Sequence, residues 1–172
     1  MTGPAAIRAA LPHRYPMLLV DRILTVSADE IRSVKAVTLN EPWYARLGEE
    51  PSEADFAYPD FLLLESWTQT AGLLATRSEE EPADGRTMLF GSMRDVEFHR
   101  RVFPGDVLEH HVRLQRAVND TLVFEGSSRI GDEPVLTIGT VTVAFRPREQ
   151  LDPEHAGRNS APLTGSQRGE KS

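Results

Sequence analysis

The longest apolar segment of the chain, residues 61–74, has the length and composition of a buried helix. We predict a helix over about residues 60–77, with Asp60 as its N-terminal cap. The charged stretch 78–85, which contains Pro and Gly, is predicted to be a surface loop. The Ala-rich segment 4–10 predicts a second, short helix near the N-terminus.

Runs of β-branched and alternating residues fill most of the remaining chain. Residues 18–27 and 30–39 are joined by Ala28-Asp29 and predict a hairpin. Further strands are predicted over residues 88–91, 96–101, 107–118, 122–130 and 134–145, with two-residue turns at 119–120 and 131–132 between the last three. One long apolar helix combined with antiparallel strands predicts an α+β domain, in which a curved sheet wraps around a central helix.

Glu65 lies in the first turns of the long predicted helix, among Leu and Trp residues. A carboxylate in such surroundings loses hydration, so it should either be paired with a donor or keep its proton. A carboxyl group that keeps its proton in a lined pocket suits general acid chemistry, which makes Glu65 the candidate catalytic residue. The alternative is that Glu65 points to solvent from a polar stripe through Gln69 and Gly72, and that stripe would be narrow.

The segment 11–22 reads L-P-H-R-Y-P-M-L-L-V-D-R and resembles the opening of the FabZ-type 3-hydroxyacyl-[acyl-carrier-protein] dehydratases. The likeness continues in order, with N-E-P-W-Y at 40–44, a Y-P helix entry at 58–59, F-G at 90–91 and P-G-D at 104–106. It covers roughly residues 10–147. The resemblance implies the hotdog fold, in which two subunits pair edge to edge and each active site takes residues from both.

One part of the family pattern is missing. The family places its catalytic His in a G-H-F-P-G loop after N-E-P-F-F, whereas residues 44–56 here contain no His and Leu47 stands about where it would fall. The Gly that follows the second Pro is also replaced, by Asp60. The chain therefore resembles a dehydratase with half of its catalytic pair.

The resemblance implies roles for several residues. Glu65 would be the acid that protonates the departing hydroxyl group, and the N–H of Gly91 would bind the thioester oxygen. The absence of a side chain at Gly91 would let the thioester come close. The other implied substrate-binding residues are Tyr58 and Pro59 at the entrance, Gln69 one turn after Glu65, and Phe90. No residue corresponds to the base.

Five histidines are candidates to replace the missing base. His13 belongs to the opening motif, where structural hydrogen bonds are expected, and the pattern does not fix the face of His99 on its strand. His110 and His111 are adjacent on a strand and must point to opposite faces, while His155 falls in the C-terminal segment. We favour a structural role for each. Without a spaced cluster of His and carboxylate residues, no metal site is expected.

The net charge of −7 at pH 7 argues against binding to nucleic acid or to an anionic membrane. An acyl carrier protein, the partner that the resemblance implies, is acidic too, so docking would need a local basic cluster. Arg94, Arg100 and Arg101 are the candidates, and the alternative is a solvated strand face.

Composition also indicates the cellular compartment and the domain organisation. The chain has no Cys, which excludes disulfides, and its longest apolar run is too short to span a membrane. We expect a cytoplasmic protein without a cofactor. Residues 1–147 are expected to form a single hotdog domain, and residues 148–172, rich in Pro, Gly, Ser and charge, a flexible tail.

Three functions remain open. In the first, the chain is a subunit of a dehydratase that acts on 3-hydroxyacyl thioesters of acyl carrier protein in bacterial fatty-acid or polyketide biosynthesis. It forms a homo- or heterodimer and supplies Glu65, while a second hotdog subunit supplies the His. In the second, it is a hotdog acyl thioesterase that uses Glu65. In the third, it is a non-catalytic acyl-binding or scaffold subunit.

The sequence features favour these three functions in the order given. A buried carboxylate without a role is costly, so the presence of Glu65 argues against a non-catalytic subunit. The dehydratase-type opening and strand motifs argue against the thioesterase. Whether the chain is itself an enzyme is left open at this point, with a subunit of a dehydratase favoured.

Overall fold

The computed structural model describes residues 3–78 and 86–147. The predicted tail and most of the predicted loop after the long helix lie outside these ranges. The chain begins with helix α1 (Pro4–Ala10), strands β1 (Arg22–Val26) and β2 (Glu30–Ala36), two short 3-10 helices (Pro42–Arg46 and Glu53–Phe56) and the long helix α2 (Asp60–Ser78). It continues through the strands β3 (Arg86–Phe98), β4 (Val107–Val118), β5 (Thr121–Ile130) and β6 (Glu133–Pro147).

The six strands form one antiparallel sheet in the order β1-β2-β4-β5-β6-β3, and α2 packs against β2, β4 and β5. Trp67 lies at the centre of this contact, fully buried, and its indole N–H donates a 3.1 Å hydrogen bond to the carbonyl of His111. Gly126 makes room for the ring, because a Cβ at that position would lie 3.0 Å from it. The predicted α+β architecture, an antiparallel sheet against a long helix, is confirmed.

The edge strand β3 differs from the prediction. The sequence predicts two strands, 88–91 and 96–101, where the structure has one continuous strand that ends at Phe98, so the predicted break and the predicted end were wrong. Asp95 adopts a left-handed φ of 53° and faces Gly139 on β6, where a Cβ would come within 2.9 Å of the Asp95 Cβ. Because Gly139 leaves this space empty, the strand can kink at Asp95 and continue.

Strand β1 begins four residues later than predicted and β2 ends three residues earlier, while the remaining boundaries agree closely. Both helices lie where predicted, and Asn119 and Gly131 supply the left-handed residues of the last two hairpin turns. Asp60 is the first residue of α2 and not the cap before it, since the carbonyl of Pro59 accepts the N–H groups of Leu62 and Leu63. Its charge still lies at the positive end of the helix dipole.

A buried histidine connects α2 to the sheet. His110 is fully buried on β4, with Nε2 2.8 Å from Ser66 Oγ and Nδ1 2.7 Å from Ser128 Oγ. Burial, together with the positive charge of Lys35, lowers the pKa of His110 to about 3. His111 points to the other face, where its Nε2 lies 2.9 Å from Glu30 Oε1. The two rings therefore face opposite sides of the sheet, as predicted, and both contact structural partners.

We expect His110 to make the free energy of unfolding depend on pH below its ordinary pKa of 6.5. The unfolded imidazole takes up a proton in this range, whereas the buried ring stays neutral down to about pH 3. The unfolded state then binds more protons, so stability falls as the pH falls, with a limiting slope of about 1.4 kcal/mol per pH unit. Urea titrations across this window should give a shallower slope for His110→Gln. The exposed His99→Gln should keep the wild-type slope, and equal slopes for all three proteins would contradict the assignment.

Candidate functional site

Gln69 fastens the segment between α1 and β1 to helix α2. Its buried amide accepts the N–H of Leu19 at 2.9 Å through Oε1 and donates to the carbonyl of Met17 at 2.7 Å through Nε2. These two backbone partners fix which end of the amide is the nitrogen. The second N–H of Nε2 therefore donates to Glu65 Oε1 at 2.8 Å. One amide thus connects the N-terminal segment, the helix and Glu65.

Glu65 lines a cavity of about 500 Å³, here called the Glu65 cavity, together with His13, Thr68 and Gln69. Its Oε1 lies 3.2 Å from His13 Nε2, and its side chain is 32% exposed. The hydroxyl of Thr68 donates to the Glu65 carbonyl at 2.9 Å and lies 3.5 Å from Oε2. Of the two sequence-based alternatives, the structure shows a paired carboxylate at a lined cavity and not a free polar stripe.

The Glu65 cavity extends along α2 towards Thr76, a distance of about 16 Å at the rise of an α-helix. Much of the remaining lining is apolar, and these residues, here called the apolar wall, are Ala9, Ala10, Leu11, Met88, Phe90 and Phe145. Gly72 lets Met88 lie across the helix, since a Cβ at Gly72 would meet the Met88 Cε at 3.0 Å. A carboxyl group next to a long apolar wall suits a ligand with a polar reactive end and a hydrocarbon chain.

Three of the predicted site residues, Glu65, Gln69 and Phe90, line this cavity together. Gly91 follows Phe90 at a bulge of β3 and is exposed. A Cβ at Gly91 would make only an ordinary contact with the carbonyl of Thr142, at 3.6 Å. The chain's own packing therefore does not require glycine here, and the space beside it is open.

Tyr58 and Pro59 are not among the residues that line the Glu65 cavity, although the sequence predicts them at its entrance. Tyr58 is buried in the core, where its ring lies 6.0 Å from Lys35 Nζ. Lys35 in turn pairs with Glu41 at 2.6 Å. Burial, with the Glu41 charge nearby, raises the pKa of Tyr58 well above its ordinary value. In this single chain Tyr58 packs below the start of α2 and does not face the cavity.

The predicted docking arginines are all exposed. Arg100 is not a free cation, because its guanidinium binds the carboxylate of Glu133 and lies 3.8 Å from Asp106. Arg94 on β3 and Arg101 beyond its end remain at the surface. The basic character of this region therefore rests on Arg94 and Arg101 more than on Arg100.

His13 is the residue whose position the sequence did not predict. The motif suggested structural hydrogen bonds, whereas its ring lines the Glu65 cavity and its Nδ1 has no hydrogen-bond partner. The only signal in the sequence was its place in the opening motif. His99 lies outside this cavity, with Nε2 3.0 Å from Thr137 Oγ1, and His155 lies outside the described residues.

The described ranges contain neither a metal cluster nor a membrane span. Within residues 3–78 and 86–147, no group of three or more His, Asp or Glu side chains is arranged to hold a metal ion. No helix in this part of the chain is long and apolar enough to cross a membrane.

Comparison with known proteins identifies the relatives of this chain. The sequence matches the FabA-like domain family over residues 11–139. It is 40% identical to the 3-hydroxyacyl-[acyl-carrier-protein] dehydratase FabZ of Streptococcus equi subsp. zooepidemicus (strain MGCS10565) over 139 residues, which is 81% of this chain and 94% of the relative. The FabZ of Streptococcus thermophilus (strain ATCC BAA-491 / LMD-9) is also 40% identical, over 140 residues and the same shares of the two chains.

Solved structures share the fold. The dehydratase heterocomplex ApeI:P from Xenorhabdus doucetiae aligns with a TM-score of 0.68 at 17% identity, over 84% of this chain and 93% of that chain. A hot-dog-like protein from Thermanaerovibrio acidaminovorans aligns with a TM-score of 0.57 at 19% identity, over 77% and 92%. A mutant thioesterase from Pseudomonas aeruginosa aligns with a TM-score of 0.61 at 10% identity, over 83% and 93%. The predicted hotdog fold is confirmed.

We expect Gln69→Leu to lower the free energy of unfolding by roughly 2–4 kcal/mol, because it leaves the buried N–H of Leu19 and the part-buried carbonyl of Met17 without partners. Urea denaturation followed by circular dichroism measures this change. Gln115→Leu is the matched control. Gln115 donates to Glu125 at the surface, so this substitution should change the free energy of unfolding by no more than about 0.5 kcal/mol. Equal losses for the two variants would mean that the Gln69 amide does not hold the N-terminal segment.

Proposed function

Because this chain belongs to the FabZ-type family of 3-hydroxyacyl-[acyl-carrier-protein] dehydratases, we propose that it works as one subunit of such an enzyme. In this proposal it supplies Glu65 to an active site whose base is a His of a second hotdog subunit. One observation carries the proposal: Glu65 is oriented by Gln69 in a lined cavity, while residues 44–56, where the family has its His, contain none.

The reaction divides between the two subunits. The partner's imidazole takes the proton from C2 of the 3-hydroxyacyl thioester, and Glu65 donates a proton to the C3 hydroxyl group, which leaves as water. The C2–C3 double bond forms, and the proton held by the imidazole balances the one that Glu65 lost. Glu65 Oε1 already faces Gln69 and His13, so Oε2 is the oxygen that carries the proton to the substrate.

The substrate is an acyl thioester of acyl carrier protein in this proposal. The apolar wall of the Glu65 cavity takes the hydrocarbon chain, and the N–H of Gly91, next to Phe90 on β3, binds the thioester oxygen. Arg94 and Arg101, exposed at and beyond the same strand, are the proposed contacts for the acidic carrier protein. The supporting feature is that the reactive carboxyl, the apolar wall and β3 adjoin one another.

We propose that a second hotdog chain pairs with β3. This strand is at the edge of the sheet, where unpaired backbone groups invite another strand. On this strand Phe90, which lines the Glu65 cavity, is 44% exposed, and the neighbouring Leu89 is 37% exposed. A chain docked here would cover apolar surface beside the Glu65 cavity, which is where a base from the partner is needed.

We expect the purified chain alone to have little or no dehydratase activity, and a His-bearing hotdog partner to restore it. Removal of a positioned general base costs about two to four orders of magnitude in rate. In the mixed dimer Glu65→Gln should abolish turnover, because the amide has no acidic proton, while light scattering shows unchanged assembly.

Other results of that experiment lead to different functions. Full activity of the chain alone would mean that it contains its own base. Activity of the mixed dimer that is insensitive to Glu65→Gln would reduce this chain to a scaffold. Thioester hydrolysis by the chain alone, lost in Glu65→Gln, would identify a thioesterase.

We further expect Gly91→Ala to lower kcat/KM of the mixed dimer by about one to two orders of magnitude, because the added methyl group displaces the thioester from its N–H. The melting temperature should be unchanged, since the new Cβ makes only an ordinary contact within the chain. Gly48→Ala is the control: no atom lies within 4 Å of its added Cβ, so activity should stay at the wild-type value. Equal activity of both variants would contradict the assignment of Gly91.

A further inference from the structure

We propose that His13 is a positioning residue whose Nε2 holds Oε1 of Glu65, so that Oε2 is the oxygen presented to the substrate. The contact lies within one chain and is distinct from the base that the partner subunit would supply. The inference rests on the proposed function, because the orientation of Glu65 affects the rate only if Glu65 takes part in the reaction.

The surroundings of the two ring nitrogens define the role of His13. Nε2 lies 3.2 Å from Glu65 Oε1, while Nδ1 is buried without a hydrogen-bond partner. A buried N–H without an acceptor is costly, and two lone pairs facing each other across the Nε2–Oε1 contact would repel. Both considerations place the proton of the neutral ring on Nε2, directed at the carboxylate.

The same geometry argues against His13 as the base. Nδ1, the nitrogen that keeps its lone pair, is closed off from the cavity, and Nε2 faces Glu65. An imidazole in this position can neither take a proton from the substrate through Nδ1 nor pass one on through it. What remains is a fixed polar contact on one oxygen of the carboxyl group.

The backbone that carries His13 is fixed to the helix that carries Glu65. The Arg14 guanidinium donates to the carbonyls of Leu11 and His13, at 2.8 and 2.6 Å. The Met17 N–H donates to the Arg14 carbonyl at 2.7 Å, and the Met17 carbonyl accepts from Gln69 on α2. His13 and Gln69 therefore contact the same Oε1 from two elements that are themselves bonded together, which leaves the carboxyl group little freedom to rotate.

The test uses the complex with the His-bearing partner and compares His13→Leu with His13→Gln. Leu removes the polar contact, whereas Gln returns an N–H donor at a similar reach. We expect His13→Leu to lower kcat about ten- to a hundredfold with KM within about twofold, and His13→Gln to recover most of the loss. His99→Leu, a change at a histidine outside the cavity, should leave kcat unchanged.

A double-mutant cycle separates positioning from general stability. Glu65→Asp shortens the side chain so that its carboxyl group no longer reaches His13, and His13→Leu should then cost much less in the Glu65→Asp background than in the wild type. Equal costs in both backgrounds, an unchanged kcat in His13→Leu, or no recovery by His13→Gln would each overturn the proposal.

A readout that does not depend on activity distinguishes failure of this inference from failure of the proposed function. Long-range proton–nitrogen correlation spectra of the full chain labelled at histidine report which ring nitrogen carries the proton. We expect the Nε2–H form for His13, with a resonance that shifts in Glu65→Gln. If the mixed complex is inactive but this signal is present, the proposed function fails and the His13–Glu65 contact stands. The Nδ1–H form overturns the inference in either case.

Discussion

The buried amide of Gln69 is the interaction on which the site depends. It satisfies one N–H and one carbonyl of a segment that belongs to no strand, and it uses its remaining N–H on Glu65. Since Leu19 bonds to this side chain, strand β1 begins only at Arg22, later than the apolar pattern alone suggests. Together with the buried side chains of Leu11 and Leu19 and the contact of His13 with Glu65, the amide holds the opening segment beside the first turns of α2.

A second set of polar contacts fixes α2 on the sheet. Its buried face includes Ser66 and Thr70, which contact His110 and Ser33 at 2.8 and 2.7 Å. His110 also contacts Ser128 on β5, so both ring nitrogens have partners. Apolar packing is not directional, whereas these contacts form only at one position of the helix along the sheet. The polar residues in the apolar helix therefore specify where it lies, and with it where Glu65 lies.

The sequence predicts the elements better than it predicts the site. The bounds of α2 follow from the largely apolar segment 61–74 between Pro59 and the charged stretch 78–85, which is local information. The continuity of β3 depends on the space that Gly139 leaves for Asp95, a contact between distant parts of the chain that no local pattern shows. For that reason residues 92–95 fall outside the strands that the sequence predicts.

The same distinction applies to the site residues. Glu65, Gln69 and Phe90 could be assigned because the family motifs name them, and the structure brings them to one cavity. Tyr58 has a motif position too, but the core packing around Lys35 decides where its ring goes. His13 could not be assigned, because its approach to Glu65 is set by the Gln69 bonds and by the path of the chain after α1.

In the proposed two-subunit enzyme, the Glu65 side chain is already oriented within a single chain, and this has a consequence for assembly. A partner that docks on the edge of β3 does not have to order the opening segment, α2 or the Glu65 side chain as it binds. The entropic cost of association is then confined to rigid-body freedom and a few surface side chains. The partner needs a matching strand edge and a suitably placed base, and it does not have to contribute contacts that orient Glu65. In the proposed enzyme, different hotdog chains that carry a matching edge strand and a base could therefore complete the same Glu65 cavity in turn.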